Sequence, residues 1–238
     1  MEGSTIRSWI PPRRFHKGGR LLDAAKAKLL IYGAGGHGRV VLDAARASGC
    51  FRGYAFVDEG EGLAGKQVDG VAVHATPDEV LREEGYWQAV VALGDPWLRL
   101  DAVQQISRLA VPFATVVHPF AWVSTLATLG EGTVVFAGAV IQLGAHIGQH
   151  AIINTSASVD HDCHIGDFAH ISPGAHLAGT VAVGRLAHVG MGSSVIPGVV
   201  IGEKAVVGAG AVVIRDVPAG VTVVGVPAVP TSASENPL

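Results

Sequence analysis

The sequence predicts two architectures in series: an α/β unit over residues 28–116, then a parallel β-solenoid over 117–227. Three observations carry this. Short aliphatic strand patterns alternate with helical ones before residue 117. From Val117 to Val213 an Ile, Leu or Val stands at every sixth position, seventeen times without an insertion. The 238-residue chain is also rich in apolar residues (49%) and in glycine (32 residues), yet only 6% aromatic and 16% charged. That mix is too apolar and too weakly charged for a disordered protein. Two cysteines are too few for a disulfide framework and suit a reducing compartment. A net charge of −3 gives no reason to expect nucleic acid.

Within the α/β unit, Leu29–Tyr32 predicts a buried strand stopping at glycines. Val40, Val41, Ala44 and Ala45 then keep helical spacing up to Gly49. Tyr54–Val57 predicts a second strand ending at Asp58. Pro77–Glu84 suits a short helix with Thr76 as its cap. Ala89–Leu93 predicts a third strand, Trp97–Leu109 a helix and Phe113–Val117 a further strand. Strands alternating with helices imply a parallel sheet.

In the repeats, a small residue follows four positions after each aliphatic: mostly Ala, otherwise Thr133, Cys163, Ser193, Val181, Val199 or Val217. That residue lies two before the next aliphatic, so both point to the same side of a strand, inward. The intervening residues point out, and the remaining pair turns a corner, where glycine is favoured. A six-residue period of this kind is the signature of a β-solenoid. Thin coils have no room for rings, which accounts for the aromatic-poor composition. The charge-free run 132–159 is then solenoid wall, not a membrane span, since it carries Gln142, His146, Gln149, His150 and Asn154. The first 28 residues hold seven Lys/Arg against two Asp/Glu. A flexible basic extension is expected over 1–27 and a flexible tail over 228–238.

Gly33-Ala34-Gly35-Gly36-His37-Gly38 fits G-x-G-x-x-G between a strand and a helix. Glycines there let backbone N–H groups approach phosphate at a helix N-terminus. Asp58 follows Gly38 by twenty residues, where an acid contacting ribose or base would sit. Taken alone the loop suits a dinucleotide, but about 90 residues make barely one mononucleotide-binding half. His37 either contacts phosphate or faces solvent. The hexads and this loop together resemble the bacterial hexapeptide-repeat sugar acetyltransferases, of the sialic acid O-acetyltransferase and nucleotide-amino-sugar N-acetyltransferase type. The resemblance spans about 28–226. It implies a Rossmann-like domain, a left-handed parallel β-helix with 18 residues per triangular coil, a homotrimer, acetyl-CoA as cosubstrate and a cytoplasmic location, with no metal. It further implies that Gly33, Gly35, Gly36, His37 and Asp58 hold a nucleotide sugar. Gly94 and Asp95 match a family segment beside the nucleotide, with Pro96 where the family has Asn. Asp95 otherwise simply caps the next helix.

Eight of eleven histidines fall in the hexads. His146, His164, His170, His176 and His188 share the outward slot before the aliphatic, facing solvent or a subunit contact. His161 differs: it lies two after Val159, at a corner. His161-Asp162-Cys163-His164-Ile165-Gly166 matches the segment in which the resembling enzymes carry their catalytic histidine. Acyl transfer to an amine needs a base, because an ammonium has no lone pair until a proton leaves. The resemblance favours Asp162 over Asp160 as the acid that orients the ring. It assigns the Gly179 N–H to the oxyanion and His170, Gly174, Gly190 and Gly192 to acetyl-CoA. Cys163 occupies the inward small-residue slot, where burial leaves a thiol inert. The expected reaction is N-acetylation of a nucleotide-linked amino sugar. Sugar O-acetylation, a non-catalytic nucleotide-binding trimer and a zinc lyase are the alternatives. The resembling zinc enzymes pair histidines five apart, a spacing absent here.

Overall fold

The structure, a computed structural model, describes residues 27–60 and 62–231. The basic extension, apart from Ala27, and the tail from 232 onward lie outside the described residues.

Strand β1 (Lys28–Tyr32) is followed by α1 (Gly36–Ser48), β2 (Gly53–Val57), β3 (Gln67–Val68), β4 (Val71–His74), α2 (Pro77–Leu81), β5 (Trp87–Val91) and α3 (Pro96–Ser107). The sheet order is β3-β4-β2-β1-β5, with all neighbours parallel except β3 with β4. Both faces of β1 are covered from Leu29 to Tyr32, which is why that run is continuously apolar. Leu29 and Ile31 pack with Val41, Leu42 and Ala45 of α1. Leu30 and Tyr32 pack with Val80 of α2 and Ala102, Val103 and Ile106 of α3. Helix α1 ends as its sequence requires: Gly49 is left-handed (φ 65°), and its N–H donates to the Arg46 carbonyl.

Several boundaries differ from the sequence expectation. Thr76 occupies the N-cap of α2, but its side chain makes no capping bond, and that helix stops at Leu81. The strand expected over Phe113–Val117 is split: Phe113 forms one isolated bridge to Ala89, and Val116–Val117 already belong to the solenoid. The hairpin β3–β4 was not foreseen.

The solenoid comprises seventeen two-residue strands at six-residue spacing, from β6 (Val116–Val117) to β22 (Val212–Val213). Each as far as Ser194–Val195 pairs in parallel with the strand eighteen residues on, such as Ile152–Ile153 with His170–Ile171. Three sheets result, so the prism is triangular. The first face starts at Val116–Val117, the second at Trp122–Val123 and the third at Thr128–Leu129. β23 (Thr222–Val224) and β24 (Val229–Pro230) extend the first face, β24 antiparallel, within the stretch expected as a tail. The interior holds the repeat's aliphatic and small residues, Cys163 among them. From Gly132 to Gly210 every corner turns through a left-handed residue, three after the aliphatic. Glycine serves at Gly144 (φ 71°), but Asp162 (φ 56°) and His150 (φ 52°) adopt the same conformation. The α/β unit lies on the first face, where Val116, Val134 and Ile152 join its core. It also covers the corner between the third and first faces, where Phe168 and Leu186 pack with its other cluster. Among the described residues no helix is long and apolar enough to cross a membrane.

Candidate active site

The corner between the second and third faces stacks Leu143-Gly144, His161-Asp162, Gly179-Thr180 and Pro197-Gly198 in successive coils. His161 is exposed there, and its Nδ1 lies 3.0 Å from Asp162 Oδ2. Asp160 is turned to the backbone instead, its Oδ1 accepting the His161 N–H at 2.6 Å. The Asp162 hydrogen bond, then the charges of Asp160 and Asp162, hold the imidazolium above the ordinary histidine range. With Nδ1 tied to the carboxylate, Nε2 is the free nitrogen. It lies against Gly179: a Cβ on that glycine would collide with His161 Nε2. A Cβ on Gly144 would likewise collide with Asp162 Oδ1. Glycines above and below thus leave the room that the two side chains occupy. Among the described residues the Gly179 N–H has no hydrogen-bond partner, so it is free to donate beside Nε2. Cys163 points inward with its sulfur 3.2 Å from the Ala178 carbonyl, and burial pushes its thiol up. That is a poor nucleophile.

The glycine loop lies elsewhere. Its glycines divide into two kinds. Gly33 (φ 105°) and Gly38 are packing requirements, since a Cβ at Gly38 would strike the Gly33 carbonyl oxygen. Gly35 and Gly36 are exposed, and a Cβ there would meet nothing. They open the N-terminus of α1, whose first turn carries no acid, so an anion can approach its N–H groups. Asp58 braces this loop: Oδ2 accepts the Ala34 N–H at 2.8 Å and Oδ1 the Gly60 N–H at 2.9 Å. Both oxygens are thus engaged by backbone, where the sequence suggested a ligand contact. Asp95 caps α3, its Oδ1 accepting from Trp97 and Leu98.

The expected histidine pattern is corrected at two positions. His146, His164 and His176 are exposed, but His170 is buried and His188 half-buried, because the α/β unit covers the first face. His170 Nε2 lies 3.0 Å from Asn154 Nδ2. Asn154 Oδ1 accepts the Thr155 N–H, so Nδ2 is the donor and His170 carries its proton on Nδ1. His37 packs edge-on against Phe136, 6.5 Å from the His170 ring, with Nε2 buried and unpaired. Burial and the nearby Arg99 cation push His37 down to about 4. Burial, His188, Arg99 and His37 push His170 down too. Gly174 and Gly192 stack at the corner between the first and second faces with φ of 64° and 66°, which the turn alone requires. Gly190 is forced by the Val207 carbonyl, which a Cβ would strike.

Arg99 was not singled out by sequence. It is 1% exposed and donates only to backbone carbonyls: Leu93 and Gly94 in the α/β unit, His150 and Phe168 in the solenoid. Burial lowers it to about 10, so it stays charged near neutrality and pins the Gly94 loop to two adjacent coils. No local pattern marks it, since its partners lie up to 69 residues away.

The structure therefore joins His161, Asp162 and Gly179 at one corner, and gathers the glycine loop, Gly94, Asp95 and His170 on the first face. In a triangular prism that corner lies opposite that face. The two groups of one chain do not form one site.

Residues 28–106 match the PglD N-terminal domain family. No curated protein matches the chain. Among solved structures, the acetyltransferase domain of PglB from Neisseria gonorrhoeae is 37% identical, covering 86% of this chain and 99% of that one with a TM-score of 0.80. It has also been solved with acetyl coenzyme A. PerB from Caulobacter crescentus, in complex with CoA and GDP-perosamine, is 41% identical over 86% and 97% with a TM-score of 0.79. WeeI from Acinetobacter baumannii is 29% identical over 86% and 100% with a TM-score of 0.81. On identity and coverage at this level, the chain belongs to the hexapeptide-repeat sugar N-acetyltransferase family.

Proposed function

We infer that the protein transfers the acetyl group of acetyl-CoA to the amino group of a nucleotide-linked amino sugar. The observation that carries this is the corner itself: a histidine oriented by a carboxylate, its free Nε2 beside an unpaired backbone N–H. The sugar nitrogen attacks the thioester carbonyl and forms the N–C bond. Nε2 of His161 accepts the proton that this nitrogen must lose. Asp162 holds the ring and stabilises the imidazolium. The Gly179 N–H receives the oxyanion of the tetrahedral intermediate. The C–S bond then breaks, and the thiolate takes the proton from His161. An amide and free coenzyme A result, so atoms and charge balance.

The diphosphate of the acceptor is assigned to Gly35, Gly36 and the N-terminus of α1. Gly33 and Asp58 shape the loop, and Gly94 and Asp95 border it. His170, Gly174, Gly190 and Gly192 are the proposed acetyl-CoA neighbours. Because the base and the loop stand on opposite sides of one prism, the sugar on one copy must reach the base of another. This supports a homotrimer with each site between copies. A cytoplasmic location, where acetyl-CoA is supplied, is part of this reading.

The test is thiol release from acetyl-CoA with a panel of UDP-, dTDP- and GDP-linked amino sugars and free sialic acid. Wild type is expected to turn over one of the amino sugars, and His161→Ala to lose at least about a hundredfold in kcat with an unchanged oligomeric state. Near-normal turnover by His161→Ala refutes the assignment of the base. Turnover of sialic acid alone refutes N-transfer.

A further inference from the structure

The first face changes chemistry where it passes the glycine loop. Its outward side chains are Val116, Val134 and Ile152, all buried against the α/β unit. The next two are His170 and His188, paired in register and stacked with centroids 4.7 Å apart and planes 24° from parallel. His37, from the start of α1, lies 6.5 Å from His170. Three imidazoles thus run in a row from the glycine loop along the solenoid.

Their nitrogens are not equivalent. His170 is closed off: Nε2 meets Asn154, and Nδ1 is buried without a partner. His37 has a buried Nε2. His188 is half-buried, and its Nε2 lies 2.8 Å from Ser172 Oγ. Its Nδ1 has no partner among the described residues and is not among the buried unpaired atoms. It is therefore a hydrogen-bonding atom open to solvent on a ring held by a stack and a hydroxyl. Asp95 is near enough for its charge to act on His188. Only Oδ1 of Asp95 is committed to the cap of α3. The far end of the row therefore lies toward the start of α3.

We propose that His188 is an acceptor-sugar contact, its Nδ1 hydrogen-bonding a hydroxyl of the sugar whose diphosphate sits at the glycine loop of the same chain. This rests on the N-acetyltransferase assignment above. The sugar is favoured over acetyl-CoA because the row begins at the anion-binding loop and ends at the Gly94–Asp95 segment, both of the α/β unit. A hydroxyl is favoured over phosphate because His188 is uncharged: burial first, then the Arg99 cation, hold it below the ordinary histidine range.

The test is steady-state kinetics of the full chain with both substrates varied, using whichever nucleotide-linked amino sugar wild type turns over. His188→Ala removes ring and nitrogen. His188→Phe keeps the stack on His170 but also loses the bond to Ser172, so its urea midpoint is read beside its KM to separate contact from folding. Both are expected to raise KM for the sugar nucleotide at least about tenfold, the loss of one hydrogen bond of about 1.4 kcal/mol. KM for acetyl-CoA stays within about twofold. A sugar KM unchanged in His188→Phe overturns the proposal, as does a rise in the acetyl-CoA KM instead. Absence of thiol release by wild type with every amino sugar overturns the underlying assignment, and the proposal with it. That outcome is visible before any variant is made.

Discussion

His161 and Asp162 were legible because they are adjacent in sequence and lie within one hexad. Their neighbour in space, Gly179, was legible only through the eighteen-residue coil. Asp162 sits in a left-handed conformation that disfavours most side chains by about 1–2 kcal/mol. The solenoid tolerates this at other corners too, such as His150 and Ser156, and at Asp162 the side chain is used to hydrogen-bond His161. The raised pKa of His161 sets a pH dependence. The base acts when neutral, so kcat/KM rises with pH through that raised value. In Asp162→Asn the carboxylate is gone, the imidazolium loses its main stabilisation, and the acidic limb of the profile moves to lower pH. The plateau falls at the same time because the ring is less well oriented. A limb that does not move in a pH profile of kcat/KM removes Asp162 from this role. Arg99 marks the opposite limit of legibility. A buried guanidinium satisfied by four carbonyls depends on tertiary placement, and nothing beside it in sequence signals that.

At the scale of elements, the solenoid was readable coil by coil because its six-residue period is a steric rule: aliphatic in, small in, turn at the corner. The α/β strands were readable where both faces are buried. The hairpin β3–β4 was missed, although Val68-Asp69-Gly70-Val71 carries a hairpin signal. Asp69 (φ 48°) and Gly70 (φ 77°) make a two-residue turn with both central residues left-handed. The Phe113–Val117 expectation failed because an apolar run does not show which of two architectures owns it. The glycine loop yields a sharper test, since its glycines were indistinguishable in sequence. Gly38→Ala forces a Cβ onto the Gly33 carbonyl and is expected to lower stability by about 1–3 kcal/mol. Gly35→Ala adds a Cβ in open space and is expected to change stability by less than about 0.5 kcal/mol. It should nevertheless raise KM for the nucleotide sugar. Urea unfolding and substrate-saturation curves read the two effects separately. Equal stability loss in both variants contradicts the division.

At the scale of the whole molecule, one chain carries a loop suited to phosphate and a base suited to acyl transfer on opposite sides of a prism. The apolar face of Val116, Val134 and Ile152 and the Arg99 pin fix the α/β unit against its own solenoid. Neither group can swing round to the other without breaking that packing. Sequence showed both sets of residues but not their separation, which depends on which face the α/β unit covers. The direct measurement is complementation between two inactive chains. His161→Ala removes the base, and Gly35→Trp fills the open loop without a steric conflict at its Cβ. Trimers assembled at random from equal amounts pair an intact loop with a neighbour's intact base in about one site in four. Thiol release is expected to recover to about one quarter of the wild-type rate per chain in the mixed trimers. Activity no greater than that of the two parents alone would contradict a site shared between copies.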